Sequence, residues 1–257
     1  MSNDWRSAAA GAVGGAVLAL VAVYGLGAAG LYPSRAATER TVHDYLIAHP
    51  AILVDMTNTL QQQQAEADQK TRQAAIDKIG LKAFFDPKVA FVTGPADAKR
   101  TMVEFFDYNC PYCRASVPAV QKYYDTHKNT RYAFIEFPIK GDESVAAAHA
   151  AIAARRQPGK YLAFHFALMS EKGMVDMPTV LAVAQKVGLD VRQLSADMND
   201  PAVTAEINAA LKLADAARID GTPTFIIDGK IHPGAVDEAD LKALTGADTE
   251  SNPAKKS

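Results

Sequence analysis

The chain has 257 residues, of which 49% are hydrophobic and 22% are charged, and its formal net charge at pH 7 is -2. This composition is that of a globular protein and excludes collagen-like, mucin-like and wholly disordered chains. The balanced charge gives no electrostatic reason to expect a nucleic acid partner. Two cysteines in a chain of this length also exclude a small fold held together mainly by disulfides.

An uncharged stretch lies near the N-terminus. The Ala-, Gly-, Val- and Leu-rich run 8–31 exceeds the roughly 20 residues that a helix needs to cross a bilayer. It is longer than the apolar part of a typical signal peptide, about 7–15 residues, which favours an uncleaved anchor. A signal peptide cleaved after Ala36 is the alternative. With either outcome, residues 1–36 export the rest of the chain to an oxidising compartment, where disulfides persist.

Residues 37–82 are predicted to form a helical arm. Thr38–Ala48 has apolar residues at helical spacing, and a second helix starts at Pro50 and meets no clear breaker before Gly80. The arm carries an apolar stripe with no core of its own: Val42, Tyr45, Leu46, Ile52, Leu53, Met56 and Leu60. The following domain, a bilayer surface or another copy of the chain must cover this stripe. We expect a homo-oligomer, because identical stripes meet symmetrically and burying each side chain is worth about 1.5–3 kcal/mol.

An α/β domain is predicted over residues 83–246. Ala90–Thr93 is typical of an edge strand, and the nearly continuous β-prone run Thr101–Tyr108 is typical of a central strand covered on both faces. A helix over Ser116–Lys128 and a strand over Arg131–Phe137 follow. This order predicts a parallel pair of strands joined by a right-handed crossover.

The domain is interrupted by a predicted helical insertion over about 143–218. Strand-forming sequence returns at Thr224–Ile227, turns at Asp228-Gly229 and resumes at Lys230–His232. Asp237 is expected to cap a last helix, and residues 247–257 are expected to form a flexible tail. The predicted fold class is therefore α/β with a helical insertion, preceded by a membrane span and a helical arm.

The two cysteines, Cys110 and Cys113, lie where the predicted central strand ends and a helix begins. Two cysteines placed at random would fall three apart only about once in a hundred chains, so the spacing needs a cause. Unpaired N–H groups and the helix dipole stabilise an anion at this position, so we expect Cys110 to have a pKa between about 3.5 and 7.5. Cys113 lies one turn inside and is expected to be the more buried thiol. Pro111 suits the first helical position.

Roles besides redox chemistry are open to a cysteine pair. A structural disulfide closing so short a loop would stabilise little. A structural zinc site needs four ligands, and His149 and His165 lie far along the chain, where packing or surface roles are expected. Binding of Cu(I) by the two thiolates is retained as the alternative function. The sequence predicts no cofactor and no resident metal.

Two motifs carry a resemblance to a known family. The run EFFDYNCPYC over Glu104–Cys113, together with GTPTF over Gly221–Phe225, resembles the DsbA-like branch of the thioredoxin superfamily. The helical insertion between the motifs is similar to that family as well. The arm followed by this domain resembles the ScsC-type disulfide-exchange proteins of bacterial envelopes.

The resemblance implies a thioredoxin fold and an envelope thiol–disulfide oxidoreductase that forms, reduces or isomerises disulfides. The implied partners are cysteine-containing exported proteins and a membrane redox partner that resets the cysteine pair. The implied location is the periplasmic face of the inner membrane, anchored by residues 8–31, or the periplasm if the chain is cleaved after Ala36. Resemblance to the ScsC type also implies that the oligomer is a trimer.

Site roles follow from the resemblance residue by residue. Cys110 matches the exposed nucleophile, Cys113 matches the resolving thiol, and Pro223 matches a cis-proline beside them. The backbone of Thr222 is expected to bind an extended substrate segment, with an ordinary turn as the alternative. Glu104 matches a buried proton acceptor with a raised pKa, with a solvated edge charge as the alternative.

The two residues between the cysteines, Pro111 and Tyr112, are also assigned to substrate binding. Tyr112 stands where the strongest oxidants of the family have a histidine, which removes a cationic stabiliser of the thiolate and implies a less oxidising couple. Thr222, in place of the valine of those oxidants, is more typical of isomerase and reductase branches.

Overall fold

The computed structural model describes residues 34–246 and divides the chain into two units, the first ending at Glu66 and the second beginning at Ala67. The predicted span at 8–31 and the predicted tail at 247–257 lie outside the described residues. Within 34–246, the helices are all too short or too polar to cross a membrane.

In its described part, unit 1 is helical. Helix α1 spans Arg35–Ala48, and helix α2 spans Ala51–Ile79 and continues into unit 2. Ser34 caps α1, because its hydroxyl accepts a hydrogen bond from the N–H of Ala37 at 3.2 Å. The two predicted helices of the arm are thus confirmed.

The apolar stripe of the arm is exposed in the single chain. Six of its members are exposed and Ile52 is half-buried; the six are Val42, Tyr45, Leu46, Leu53, Met56 and Leu60. Ile47 and Val54, which lie beside the predicted stripe, are exposed as well. The apolar surface of unit 1 is therefore wider than the sequence pattern indicated.

Unit 2 begins within α2, whose last turns pack on the α/β domain. Ile76 is buried in the core of that domain. The side-chain amide of Gln73 donates to the carbonyl oxygen of Gly229 at 2.8 Å and accepts from the N–H of Ile231 at 3.0 Å. The end of the predicted arm, 37–82, therefore belongs to unit 2. A short 3-10 helix, Leu81–Phe85, follows α2.

Within the described residues, unit 2 has a five-stranded sheet with the order β1-β3-β2-β4-β5. The strands are β1 (Phe91–Thr93), β2 (Arg100–Phe106), β3 (Thr130–Glu136), β4 (Thr224–Ile227) and β5 (Lys230–Pro233). Strands β2 and β3 are parallel, with helix α3 (Pro111–Thr126) between them, which confirms the predicted crossover unit. The other neighbouring strands are antiparallel.

The predicted helical insertion is confirmed between β3 and β4. Its helices are α4 (Asp142–Ala154), α5 (Tyr161–Met169), α6 (Met177–Lys186), α7 (Val191–Asp197) and α8 (Pro201–Ala216). The predicted hairpin turn joins β4 to β5, with positive φ angles of 48° at Asp228 and 80° at Gly229, as a type I′ turn requires. The last helix, α9 (Glu238–Thr245), is capped by Asp237, which accepts from the N–H of Asp240 at 2.8 Å.

Apolar residues cover both faces of the sheet. On one face, Met102 and Phe106 of β2 belong to a cluster with α3, the insertion and both cysteines. On the other face, Val103 and Phe105 pack with residues of α2, the 3-10 helix and α8. Because side chains alternate along a strand, Glu104 lies on the same face as Met102 and Phe106. The strand thus places this carboxyl group on the face that carries the cysteines.

Candidate active site

The cysteine pair lies at the turn from β2 into α3. Cys110 is the N-cap residue of α3, with φ -83° and ψ 117°, and Pro111 occupies the start of the helix. The N–H of Cys110 donates to the carbonyl oxygen of Asp107 at 3.1 Å, which closes the turn. Cys113 lies in the first turn of α3, and both cysteines are free thiols. The N-cap position exposes the sulfur of Cys110 to unpaired backbone N–H groups.

Hydrogen bonds lower the pKa of Cys110 to about 5. The largest cause is the hydrogen bond from the side chain of Cys113, and Thr222 and the backbone N–H groups of Cys113 and Tyr112 contribute further, while burial opposes the shift. The sulfur lies 3.1 Å from the carbonyl oxygen of Thr222, to which the thiol donates. A pKa of about 5 favours the thiolate at neutral pH, and in that state the sulfur has no proton to donate to the Thr222 carbonyl.

Cys113 has the opposite character. Burial raises its pKa, and the hydrogen bond that it gives to Cys110 and the charge of Glu104 raise it further. Both cysteines are buried, with 1% of Cys110 and none of Cys113 exposed. Cys110 matched an exposed nucleophile by resemblance, but here the carbonyl of Thr222 lies against its sulfur. Access to Cys110 therefore requires a substrate group to replace that contact.

Glu104 is buried, and its charge acts on the thiol of Cys113. Only 4% of the residue is exposed, and burial raises its pKa to about 8. Since β2 is a central strand of the sheet, the residue is not a solvated edge charge. A carboxyl group with this pKa exchanges protons in the range in which thiols titrate.

The second motif lies against the first. The peptide bond between Thr222 and Pro223 is cis, and Pro223 is buried just before β4. Pro111 and Tyr112, which follow Cys110 in the chain, are exposed, and 66% of Tyr112 is accessible. All the residues predicted for the site are thus placed around one turn, with Glu104 beneath it.

Sequence reasoning missed the polar residues that hold this turn. The buried carboxylate of Asp107 accepts from the N–H groups of Ile139 at 2.7 Å and Lys140 at 2.9 Å, and from the hydroxyl of Ser144 at 2.7 Å. It also accepts from the N–H of Asn109 at 2.7 Å. The signal in the sequence was the pair of polar residues, Asp107 and Asn109, at the end of an otherwise apolar strand.

Two further side chains tie the turn to the insertion. Asn109 accepts from the N–H of Val175 at 2.7 Å and donates to its carbonyl oxygen at 3.2 Å. The guanidinium of Arg114 donates to the carbonyl oxygen of Tyr108 at 2.8 Å and to the side chain of Asn109 at 3.2 Å. It also donates to the carbonyl oxygen of Gly173. We call these two residues the Asn109–Arg114 clamp.

A buried polar cluster lies behind the turn. The hydroxyls of Tyr108 and Tyr161 each donate to Glu136 at 3.3 Å, and the hydroxyl of Tyr108 lies 3.1 Å from Nδ1 of His165. Burial raises the pKa of Glu136 well above its ordinary value and lowers that of His165 to about 3, so the imidazole is neutral at pH 7. His165 is therefore a packing residue, as expected, and His149 bonds to Val145 and Thr204.

The site offers few ligands to a metal ion. Over 34–246, histidine, cysteine, aspartate and glutamate side chains do not gather in groups of three or more that could hold such an ion. The residues that could bind a soft metal are the two thiols, Cys110 and Cys113, which offer two ligands.

Two families match different parts of the chain. Residues 101–245 match the DSBA-like thioredoxin domain, and residues 35–67 match the N-terminal domain of the copper resistance protein ScsC. The first match spans β2 from its second residue, the strands β3 to β5, the insertion and both cysteines, and β1 lies before it. The second covers α1 and the first part of α2.

Solved structures agree with these matches. A thioredoxin-like oxidoreductase from Silicibacter pomeroyi DSS-3 is 42% identical, with a TM-score of 0.61, over 67% of this chain and 99% of its own. ScsC of Proteus mirabilis, in a transitional conformation, is 26% identical, with a TM-score of 0.59, over 85% of this chain and 97% of its own. The second likeness covers a larger share of this chain than the first.

Curated relatives match part of the chain. The Na(+)/H(+) antiporter NhaA 1 of Salinispora arenicola is 32% identical over 173 residues, which are 66% of this chain and 26% of the antiporter. This chain therefore spans about a quarter of the length of the curated relatives that it matches, and the likeness carries no transport activity to it.

Proposed function

This chain belongs to the family of DSBA-like thioredoxin domains, and on that premise we propose that it is an envelope thiol–disulfide oxidoreductase that works through Cys110 and Cys113. Members of this family are thiol–disulfide oxidoreductases. The observation that carries the proposal is the asymmetry of the pair. One thiol has its pKa lowered to about 5 at a helix N-cap, and the other has its pKa raised by burial one turn away.

The first step is attack on a client disulfide. The Cys110 thiolate displaces one client sulfur, so that a Cys110–client disulfide forms and the second client sulfur leaves as a thiolate. The carbonyl of Thr222, 3.1 Å from the Cys110 sulfur, marks where a client backbone would pair beside the new disulfide. A cysteine with a low pKa attacks well at neutral pH because it is already deprotonated.

The second step resolves the mixed disulfide. Cys113 loses its proton and attacks the Cys110 sulfur, which releases the first client sulfur as a thiolate and leaves the Cys110–Cys113 disulfide. We assign Glu104 as the acceptor of the Cys113 proton. Its burial on the face of the sheet that carries the cysteines and its pKa of about 8 suit this transfer. Client oxidation follows the same steps in reverse, and a membrane redox partner resets the pair.

Exposed apolar residues support cysteine-containing exported proteins as clients. Among the described residues of unit 2, the large hydrophobic side chains that remain exposed are Tyr112, Ile139 and Met174. Tyr112 lies between the cysteines, and the neighbours of Met174 bind the clamp. The N–H of Ile139 bonds to Asp107. All three residues therefore belong to segments that contact the active-site turn, where unfolded chains would be held.

The arm supports an oligomer. Its match to the ScsC N-terminal domain and its exposed apolar side chains favour association between copies, and we propose a trimer held through unit 1. Several active sites around one client favour isomerisation over simple oxidation. DsbA-like and ScsC-like homologues are periplasmic, and we propose the same compartment, with or without the anchor at 8–31.

Trapping of mixed disulfides tests the proposal on the full chain. Cys113→Ala should accumulate mixed disulfides with a model protein that has scrambled disulfides, because the resolving thiol is missing. Cys110→Ala should form none, and it serves as the matched control because it also retains a single cysteine. Non-reducing electrophoresis measures both. Mixed disulfides on Cys110→Ala, or turnover by that variant, would contradict the assignment of the nucleophile.

Copper binding is the second candidate function. Residues 35–67 match a domain of a copper resistance protein, and two thiols one helical turn apart suit Cu(I). A competition titration of the reduced chain with a Cu(I) chelator measures this function. Tight binding without turnover of protein disulfides would favour the copper-handling protein, and turnover with weak binding would favour the oxidoreductase.

A further inference from the structure

The Asn109–Arg114 clamp holds the chain on both sides of the nucleophile. Asn109 immediately precedes Cys110, and Arg114 lies in the first turn of α3, where its N–H donates to the carbonyl oxygen of Cys110 at 3.2 Å. From these positions, both side chains reach the segment 171–176, which connects α5 to α6 in the insertion. The backbone of Cys110 is therefore fixed between α3 and the insertion.

The partners of the clamp are almost entirely backbone groups. Asn109 satisfies both the N–H and the carbonyl of Val175, and Arg114 donates to the carbonyls of Tyr108 and Gly173. Such two-point contacts fix orientation as well as distance, because each hydrogen bond weakens when its angle changes. A small movement of the segment 171–176 is thus transmitted to the turn that carries Cys110.

The position of this turn matters for the sulfur. The Cys110 thiolate is stabilised by the side chain of Cys113 and by backbone N–H groups of Cys113 and Tyr112, all in the first turn of α3. These donors act on the sulfur only while the N-cap residue keeps its place relative to the helix. Loosening the turn weakens them together, so the thiolate loses stabilisation.

We propose that Asn109 and Arg114 are positioning residues for disulfide exchange. Through these two residues, the helical insertion influences the reactivity of Cys110. This inference deepens the proposed function and rests on it. Both side chains act on the sulfur through the turn, since their hydrogen bonds go to backbone groups, to each other and, from Asn109, to the hydroxyl of Ser144 at 3.3 Å. The segment 171–176, which carries the exposed Met174, is then both a neighbour of the client and a support of the nucleophile.

The Arg114→Lys substitution in the full chain distinguishes the effect of the positive charge of Arg114 from the effect of its hydrogen-bonding geometry. Lysine keeps the positive charge but has no planar fork with which to reach several carbonyl groups at once. We expect the pKa of Cys110 to rise by about one unit, a tenfold fall in the ratio of thiolate to thiol at a fixed pH. The ultraviolet absorbance of the thiolate during a pH titration measures this shift.

The equilibrium with glutathione gives a second readout. Protein disulfide and two glutathione molecules exchange with protein dithiol and one glutathione disulfide, so no other reactant is needed. Because the reduced form loses thiolate stabilisation, the Arg114→Lys equilibrium should shift about tenfold toward the protein disulfide. Asn109→Ala should shift both readouts in the same direction without any change of charge.

The matched control is Arg156→Lys. Arg156 also belongs to unit 2 and forms ion pairs, with Asp197 at 3.0 Å and Asp200 at 2.7 Å, but its partners are in the insertion alone. The Arg156→Lys substitution should leave the pKa of Cys110 and the glutathione equilibrium unchanged. If Arg114→Lys or Asn109→Ala also leaves the pKa of Cys110 and the glutathione equilibrium unchanged and lowers only the unfolding midpoint, the clamp is structural and the proposal is overturned. A wild-type chain that titrates as expected but turns over no protein disulfide would instead overturn the proposed function.

Discussion

The two units of this chain place opposite kinds of residue in environments that ordinarily disfavour them. Unit 1 leaves large apolar side chains in solvent, such as Leu53 and Met56, whereas unit 2 buries the carboxyl groups of Glu104 and Glu136. An exposed apolar side chain is stabilised by covering it with another surface, and a buried carboxyl group is stabilised by holding a proton. We infer that unit 1 is built for association and that unit 2 is built for chemistry coupled to protons.

The largest expected effect is the loss of association when unit 1 is removed. A chain that begins near Thr38 should be an oligomer, because its apolar surface needs a partner, and one that begins at Ala67 should be a monomer. The shorter chain should still reduce or oxidise model disulfides but lose isomerase activity. Light scattering and disulfide assays measure the two properties. If the longer chain is a monomer, unit 1 is not an association segment and the isomerase proposal loses its support.

Matched alanine substitutions extend the comparison to single side chains. Phe105→Ala should lower the free energy of unfolding of unit 2 by about 3–5 kcal/mol, because Phe105 is fully buried. Leu53→Ala should change it by less than about 0.5 kcal/mol, because 71% of Leu53 is exposed in the chain. It should instead raise the protein concentration at which the oligomer dissociates. Urea unfolding and sedimentation check both, and equal destabilisation of unit 2 by the two variants would erase the distinction between the units.

Glu104→Gln tests the buried carboxyl group. Its pKa is about 8 in the folded chain against an ordinary 4.5, so the folded state binds the extra proton between these values and wild-type stability falls as pH rises through them. Glutamine does not ionise, so the variant should match the wild type below pH 4.5 and exceed its stability by about 3 kcal/mol at pH 7.

Kinetics complete that test. Resolution of the mixed disulfide should be slower in Glu104→Gln, because the proton of Cys113 has lost its acceptor. Denaturant unfolding at several pH values and quenched exchange reactions measure the two effects. A stability difference that does not change with pH, together with unchanged exchange rates, would return Glu104 to a purely structural role.

Local patterns predicted most of the fold. The parallel strands β2 and β3 and the helices of the insertion follow from hydrophobic runs and helical spacing, which are properties of neighbouring residues. The boundary between the units at Glu66 and Ala67 could not be predicted in the same way. Helix α2 is continuous across it, and the contacts of Gln73 and Ile76 with residues far along the chain show which part belongs to unit 2.

In the candidate site, too, short-range features could be predicted from the sequence and long-range contacts could not. The spacing of Cys110 and Cys113 and the strand position of Glu104 were visible in the sequence, because each is a short-range feature. The sequence predicts the low pKa of Cys110 from the helix terminus, whereas the largest cause is the hydrogen bond from Cys113. The contacts of Asn109 and Arg114 reach residues 66 and 59 positions further along the chain, and no local pattern indicates such partners.

Gln73 has a consequence for how this protein should be shortened. Strand β5 is an edge of the sheet, and the Gln73 amide occupies backbone groups at Gly229 and Ile231 that would otherwise be open to another strand. Unpaired edges of this kind recruit strands from other molecules and lead to aggregation. A chain cut after α2, at Leu81, would expose this edge to strand pairing, which would mimic the oligomer that we propose for unit 1. Cutting at Ala67 keeps the edge protected, so that a loss of association can be attributed to the removal of unit 1.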